Sequence, residues 1–345
     1  MDTKLTFREI AFYGVTLTKT YIRVIWMLLA ARGPKLAIDL FRYPWILYLL
    51  KLYSLYKIPM TRKGPYRDGS VHALNEIVLL IGSYLADMLK NSDTLVLAED
   101  IIPPEIVRAM GLTPFSPEIL AIVLVLISPD STEKYIDACE NSGIPGDICS
   151  LPKCAIGMIL KGHLHRPRAI IASNLPCDAG MASYLTIEKN MNVPIMRVDV
   201  PYNFKTDRAI AYFTEELRQM IQFLETHTTG RMNWERLKQI CEERNRCQEA
   251  ELELWDLAKI KPAPVASEMI YLTHLVFFNI FPGDKRCTAT LRKLIEYCKI
   301  NLEASKGALD QENFRILLWT PPWPTLPIHF PGPRKNTGPR WSWTA

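Results

Sequence analysis

The sequence predicts an α/β fold: a parallel-sheet lobe preceded by a helical section and followed by long helices. Three observations predict it. Short apolar runs, "TLVLAE", "RAIIASN" (168–174) and "PIMRVDV" (194–200), read as buried strands. A helical stretch, "AGMASYLTIEKN", joins the last two, and strand, helix and strand in succession imply a right-handed parallel crossover. Apolar residues at helical spacing dominate both flanks of this region.

The chain has 345 residues, 48% of them hydrophobic and 22% charged, enough for two ordinary domains with a sizeable core. Its formal charge of +5 is uneven. Residues 1–68 hold twelve Lys and Arg against four Asp and Glu, so the remainder is net acidic. A basic N-terminal section suits an acidic partner, an anionic membrane surface or a phosphate-bearing ligand, or is a solvated helix surface. A membrane span needs roughly 20 apolar residues. "ILAIVLVLISP" (119–129), "IVLLIGSYLA" (77–86) and "YPWILYLL" (43–50) all read as too short. With no signal-peptide pattern either, the expectation is a cytoplasmic protein with reduced cysteines.

In order along the chain, residues 1–90 read as a helical section. "YIRVIWMLLAA", "WILYLLKLYSLY" and "HALNEIVLLIGSYLADMLK" carry helical spacing, separated by Gly33-Pro34 and the polar "TRKGPYRDGS" (61–70). Residues 91–230 read as the sheet lobe. There "PPEIVRAMG" is a helix with proline at its start and Gly111 at its end. Residues 231–312 read as long linker helices. Asn233 is placed to cap the first of them, Pro262 and Pro264 to end it, and "ATLRKLIEYCKINLEASKGA" is another. "FRILLW" (314–319) reads as a strand opening a second α/β layer. The rest of 313–345 holds seven prolines and three tryptophans after residue 320, with no helix or strand period. The residues after about Trp319 are therefore expected to be out-of-frame translation, leaving the second lobe largely missing.

Among the eight cysteines, Cys139, Cys241, Cys247 and Cys298 lie in helical patterns and Cys287 near a helix start, where structural roles are expected. Cys149 in "GIPGDICSLPKC" and Cys177 in "IIASNLPCDAG" differ. Each sits where a helix should begin, beside free backbone N–H groups and the positive end of the helix dipole, which favour a thiolate. The carboxyl ends of parallel strands are also where ligands of such sheets collect. Thiolates suit iron–sulfur clusters or zinc. Cys154 is a possible third ligand, although its spacing from Cys149 is not diagnostic. His163 and His165 read as exposed loop residues beside Arg166 and Arg168. There is no Gly-x-Gly-x-x-Gly, phosphate-binding Gly-Lys-Ser/Thr loop or His-Glu-x-x-His, and nothing calls for nucleic acid.

"PPEIVRAMGLTPFSPE", "GDICS", "IIASNLPCD", "VPIMRVDVPYN" and "LETHTTGRMNWERLKQICEERN" occur in this order with family-like spacing. Over about residues 94–319 the chain resembles the D-component subunits of the 2-hydroxyacyl-CoA dehydratases, in the superfamily that includes benzoyl-CoA reductase subunits. The resemblance implies two Rossmann-like lobes joined by helices, with three cysteines between them holding one [4Fe-4S] cluster. Cys149 matches the first cysteine and Cys177 the second; the third belongs to the C-terminal lobe. Glu118 falls where one family subunit has a glutamate near the substrate hydroxyl, and is the candidate catalytic residue. Asp100 stands about where that subunit has a serine, a departure from the pattern. Ser150 and Asn174, in the same stretches as the two cysteines, are the candidate substrate-binding residues.

The resemblance implies ketyl-radical elimination of water from a 2-hydroxyacyl-CoA after one-electron activation. It also implies a sister dehydratase subunit, an ATP-dependent activator iron–sulfur protein and an acyl-CoA substrate. A benzoyl-CoA reductase-type subunit and a truncated noncatalytic homologue are the alternatives.

Overall fold

The structure is a computed structural model describing residues 7–56, 64–90, 92–175, 177–203, 205–309, 312, 315–317 and 342–344. The N-terminal section is helical, as its apolar spacing predicts: α1 (Phe7–Arg32), α2 (Lys35–Arg42), a 3-10 helix (Pro44–Tyr56) and α3 (Gly64–Lys90). Among the described residues one helix, Arg67–Lys90 within α3, is long and apolar enough by length and composition to cross a membrane. Its apolar run is the stretch 77–86, and 78% of the helix's apolar window is buried inside the protein. The helix serves as core: Leu74, Ile77, Val78, Leu80, Leu85 and Met88 are each at most 1% exposed.

The chain forms two compact units: Met1–Ala30, Leu50–Ser83 and Cys241–Ala345 in one, Ala31–Leu49 and Tyr84–Ile240 in the other. The second unit holds the sheet. Its four strands are β1 (Leu95–Ala98), β2 (Thr113–Phe115), β3 (Ala169–Ser173) and β4 (Ile195–Val198). They run parallel in the order β2-β1-β3-β4. Val96 pairs with Ala169 and Pro114, and Ile171 with Met196. Pro114 is tolerated because β2 is an edge strand, whose outer N–H positions need no partner.

Helix α4 (Pro104–Ala109) connects β1 to β2 and starts at a proline, whose missing N–H costs a helix nothing in its first turn. After β2 come α5 (Pro117–Ile127), a 3-10 turn (Pro129–Ser131), α6 (Glu133–Glu140) and α7 (Ser150–Leu160). After β3 comes α8 (Asp178–Met191), and after β4 come α9 (Asp207–His227) and α10 (Trp234–Ala258). Val96, Ala98, Ala169, Ile171 and Val198 of the sheet pack with Ile106, Val107 and Met110 of the α4 region and with Met220, Ile221 and Leu224 of α9. Leu95, Leu97, Ile170 and Ala172, which alternate with them, are also buried, so both faces are covered as a parallel sheet requires. Helix α8 packs on β3, while α7 packs against α5, α6 and α8. At the α6–α7 contact a Cβ on Gly157 would fall 1.9 Å from the Tyr135 carbonyl oxygen, so only glycine permits that approach.

In the first unit, α11 (Ser267–Asn279) and α12 (Lys285–Glu303) follow α10. Asn233 caps α10, its Oδ1 accepting the Arg236 N–H at 2.9 Å. Asp284 caps α12 in the same way through the Arg286 N–H. Strand β5 (Arg315–Leu317) pairs in parallel with β6 (Ser342–Thr344). A strand thus lies where no period was expected; three residues are too few to show one. Residues 318–341 and Ala345, on which the out-of-frame reading rests, lie outside the described residues.

Candidate functional site

The order β2-β1-β3-β4 places a topological switch point between β1 and β3, where successive connections leave the sheet in opposite directions and open a crevice at the carboxyl ends of the strands. The segments at that edge carry Glu99 and Asp100 after β1, Ser116 and Glu118 after β2, Ser173 as the last residue of β3, and Asn174 and Cys177 after it. The switch point is tied across by the Glu99 N–H, which donates to the Ile171 carbonyl at 3.0 Å.

Glu99 is 2% exposed and Ser173 1% exposed. Glu99 Oε2 accepts the Ser173 backbone N–H at 2.6 Å and lies 3.0 Å from Ser173 Oγ. Its other oxygen, Oε1, is buried and has no hydrogen-bond partner among the described residues. A Cβ on Gly180 would lie 2.6 Å from that oxygen and 3.8 Å from Cys177 Sγ. The carboxyl therefore occupies space that only glycine leaves open in the first turn of α8.

Glu118, also buried, stands in the first turn of α5; Ser116, just before the helix, caps it, its Oγ accepting the Ile119 N–H at 3.3 Å. The Tyr184 hydroxyl of α8 lies 3.5 Å from Glu118 Oε2. Burial pushes Glu118 up to about 8, and the neighbouring Asp100 and Glu99 charges add to the shift. Burial pushes Glu99 up to about 7 against the lowering effect of Ser173, and raises Asp100 as well. Tyr184 is raised well above its usual value by burial and by the same three carboxyls. Carboxyls raised in this way hold their protons to higher pH than ordinary ones, and the protonated form can donate hydrogen bonds that ionised carboxylates cannot.

The two sequence-predicted thiols sit at helix starts. Cys149 is the N-cap of α7 and Cys177 the N-cap of α8. Cys177 Sγ accepts the Gly180 N–H at 3.4 Å. Both thiols are free and exposed. Their sulfur chemistry suits iron, and their helices pack on one another. Among the described residues, no group of three or more His, Cys, Asp and Glu is arranged to hold a metal ion. Cys149 and Cys177 thus each offer one sulfur donor at a helix start. Cys154 is buried inside α7, where desolvation raises its thiol far above the usual range, so it is not part of that surface.

Ser150 is the exposed first residue of α7. Asn174 joins the ends of β3 and β4: its Nδ2 donates to Asp199 Oδ1 at 2.5 Å and its Oδ1 accepts the Val200 N–H at 2.9 Å. His163 and His165 are half-buried instead of exposed. Their Nδ1 atoms pair with the hydroxyls of Tyr135 at 3.1 Å and Tyr43 at 3.0 Å. Burial, then nearby cations, lowers both imidazoles, which makes them neutral packing groups. Glu99 is the residue that sequence reasoning missed. Its signal is a carboxylate directly following four buried strand residues in "LVLAED".

The sequence profile of the family described as 2-hydroxyglutaryl-CoA dehydratase, D-component, matches residues 101–329. The chain is 25% identical over 169 residues to the alpha subunit of (R)-2-hydroxyglutaryl-CoA dehydratase from Acidaminococcus fermentans, covering 48% of this chain and 35% of that one. It is 20% identical to the (R)-phenyllactyl-CoA dehydratase alpha subunit of Clostridium sporogenes, covering 71% of this chain and 62% of the relative. It is 21% identical to the lactoyl-CoA dehydratase alpha subunit of Anaerotignum propionicum, covering 61% and 52%. The chain thus spans between about a third and three fifths of the length of these curated relatives. The profile match, which takes in the cleft segments from Glu118 to Cys177, assigns the chain to the 2-hydroxyglutaryl-CoA dehydratase D-component family.

Proposed function

We propose that the chain is an iron–sulfur subunit of a 2-hydroxyacyl-CoA dehydratase, acting in the radical elimination of water from a 2-hydroxyacyl-CoA after one-electron activation. The observation that carries this reading is the exposed thiol of Cys177 at the N-cap of α8, beside buried, proton-retaining carboxyls at the switch point of the sheet. Cys149 and Cys177 would hold the cluster. A bound [4Fe-4S] cluster supplies one-electron and Lewis-acid chemistry.

The protein's own part follows from its residues. Glu118, neutral at physiological pH by virtue of its burial, is suited to donate a hydrogen bond or a proton to a departing hydroxyl. Glu99, Glu118 and Tyr184 are themselves buried, which keeps bulk water from their polar atoms. The alpha-subunit names of the relatives support a sister subunit as partner. The exposed face of α1 offers a surface for it: Phe12, Val15, Ile22, Trp26 and Leu29 are between 42% and 70% exposed. An ATP-dependent activator and an acyl-CoA complete the proposed system.

The test is anaerobic reconstitution of the chain with its sister subunit, an activator, ATP and a panel of 2-hydroxyacyl-CoA thioesters. Enoyl-CoA formation that disappears in Cys177→Ala supports the proposal. Formation of a dienoyl-CoA from benzoyl-CoA would instead indicate the reductase-type chemistry of the superfamily, and no turnover of any thioester would indicate a noncatalytic homologue.

A further inference from the structure

We infer that Glu99 is held as a neutral carboxylic acid that donates a hydrogen bond to Ser173 Oγ, and that this bond makes it the positioning residue for the turn that delivers Cys177 to the start of α8. The argument is a count of hydrogens. Ser173 Oγ has three close neighbours: the Leu175 carbonyl oxygen at 2.5 Å, the Leu175 backbone nitrogen at 3.1 Å and Glu99 Oε2 at 3.0 Å. The Leu175 N–H can only donate. The Leu175 carbonyl can only accept, so at that distance it takes the one hydrogen a serine hydroxyl carries. No hydrogen of Ser173 Oγ remains for Glu99, and two bare oxygens would repel at 3.0 Å. The hydrogen in that contact therefore belongs to Glu99 Oε2.

The assignment satisfies Ser173 Oγ. Ser173 Oγ donates once and accepts twice, its full capacity. Oε2 still accepts the Ser173 N–H at 2.6 Å. It also explains the unpartnered Oε1: a buried carbonyl oxygen of a neutral acid without a donor costs far less than a buried ionised oxygen without one. The surroundings favour the same state. Burial raises Glu99 and the adjacent Asp100 charge adds to it, against the lowering effect of the Ser173 hydrogen bonds, while Glu118 of α5 and Tyr184 of α8 are the other acidic groups of the cluster. Through Ser173 and Leu175 the acid fixes the backbone two residues before Cys177, and through Gly180 it abuts the turn that Cys177 caps.

Two variants of the full chain test this, Glu99→Gln and Glu99→Leu. An amide NH2 can donate to Ser173 Oγ as the acid does, although it cannot accept the Ser173 N–H; leucine can do neither. Hydrogen–deuterium exchange of the Leu175 N–H, which donates to Ser173 Oγ, should remain at the wild-type rate in Glu99→Gln and rise about tenfold in Glu99→Leu, the factor that losing one hydrogen bond of typical net strength gives. The infrared difference between wild type and Glu99→Gln, recorded below the value of about 7 to which Glu99 is pushed, should contain a neutral-acid carbonyl band. Exchange in Glu99→Gln as fast as in Glu99→Leu overturns the inference, and so does a difference spectrum holding a carboxylate band alone. The consequence for a metal rests on the reading of Cys177 as a ligand, but neither measurement does, so either proposal can fail while the other stands.

Discussion

Gly180 faces Glu99 across the first turn of α8, so closely that a Cβ on the glycine would come 2.6 Å from Glu99 Oε1. Gly180→Ala must therefore push the carboxyl or the helix aside and should destabilise the protein by about 1–3 kcal/mol, the usual cost of overpacking. Gly14 is the control. It lies exposed in α1 with nothing within 4 Å of its Cβ position, and Gly14→Ala should stabilise by about 0.5–1 kcal/mol through helix propensity. Urea melts of the two variants measure the contrast; equal effects would show that the Gly180–Glu99 approach is not tight.

The buried carboxyls set a pH dependence. Glu99 and Glu118 are raised from an ordinary value of 4.5 to about 7 and about 8. The folded state therefore binds more protons than the unfolded state between these limits, and stability falls as pH rises through them. Their contribution is fully present below 4.5 and lost above about 8. Glu118→Gln should flatten this decline in urea midpoints measured across the range. An unchanged slope would mean that Glu118 ionises in the folded protein as freely as in the unfolded chain.

Much of this site is legible in the sequence, and what is not has identifiable causes. Strands β1, β3 and β4 are visible because each is a short apolar run between turn residues, and Cys149 and Cys177 because polar turns and prolines announce helix starts. Strand β2 is hidden: it is three residues long with Pro114 in its middle, a residue that argues against a strand unless the strand is at an edge. Helix α5, "PEILAIVLVLI", shows no amphipathic period because it is buried nearly all round. The segment "WILYLLKLYSLY" has helical spacing but forms a 3-10 helix. His163 and His165, which do lie in a loop, looked exposed because Tyr135 and Tyr43, their hydroxyl partners, are remote in the sequence. Glu99 escaped notice because its partner Ser173 is 74 residues away.

Asn174 illustrates how a candidate ligand-binding residue can also hold the sheet together. Its amide bonds to Asp199 and to the Val200 N–H join two strand ends. Asn174→Ala should cost about 0.5–1.5 kcal/mol, the net worth of a typical hydrogen bond, visible as a lower denaturation midpoint in the absence of any substrate. A variant as stable as wild type would remove this structural role.

The α1 face predicts where a sister subunit docks. Trp26 is 70% exposed among other apolar side chains, and aromatic residues of this kind anchor interfaces. Trp26→Glu should weaken association with the sister subunit by about 2 kcal/mol or more, the threshold for an interface anchor, as read by titration calorimetry. Unchanged affinity would place the interface elsewhere.

The most direct test of the proposed function is the iron and acid-labile sulfide content of the chain, purified without oxygen together with its sister subunit, in wild type and in the Cys149→Ser, Cys177→Ser and Cys241→Ser variants. Cys241 is the matched control, exposed like the other two but lying within α10 instead of at a helix start. The account predicts that iron and sulfide fall together, to the level contributed by the sister subunit alone, when either Cys149 or Cys177 is replaced, and that they are unchanged when Cys241 is replaced. Iron and sulfide retained in both the Cys149→Ser and Cys177→Ser proteins would contradict it.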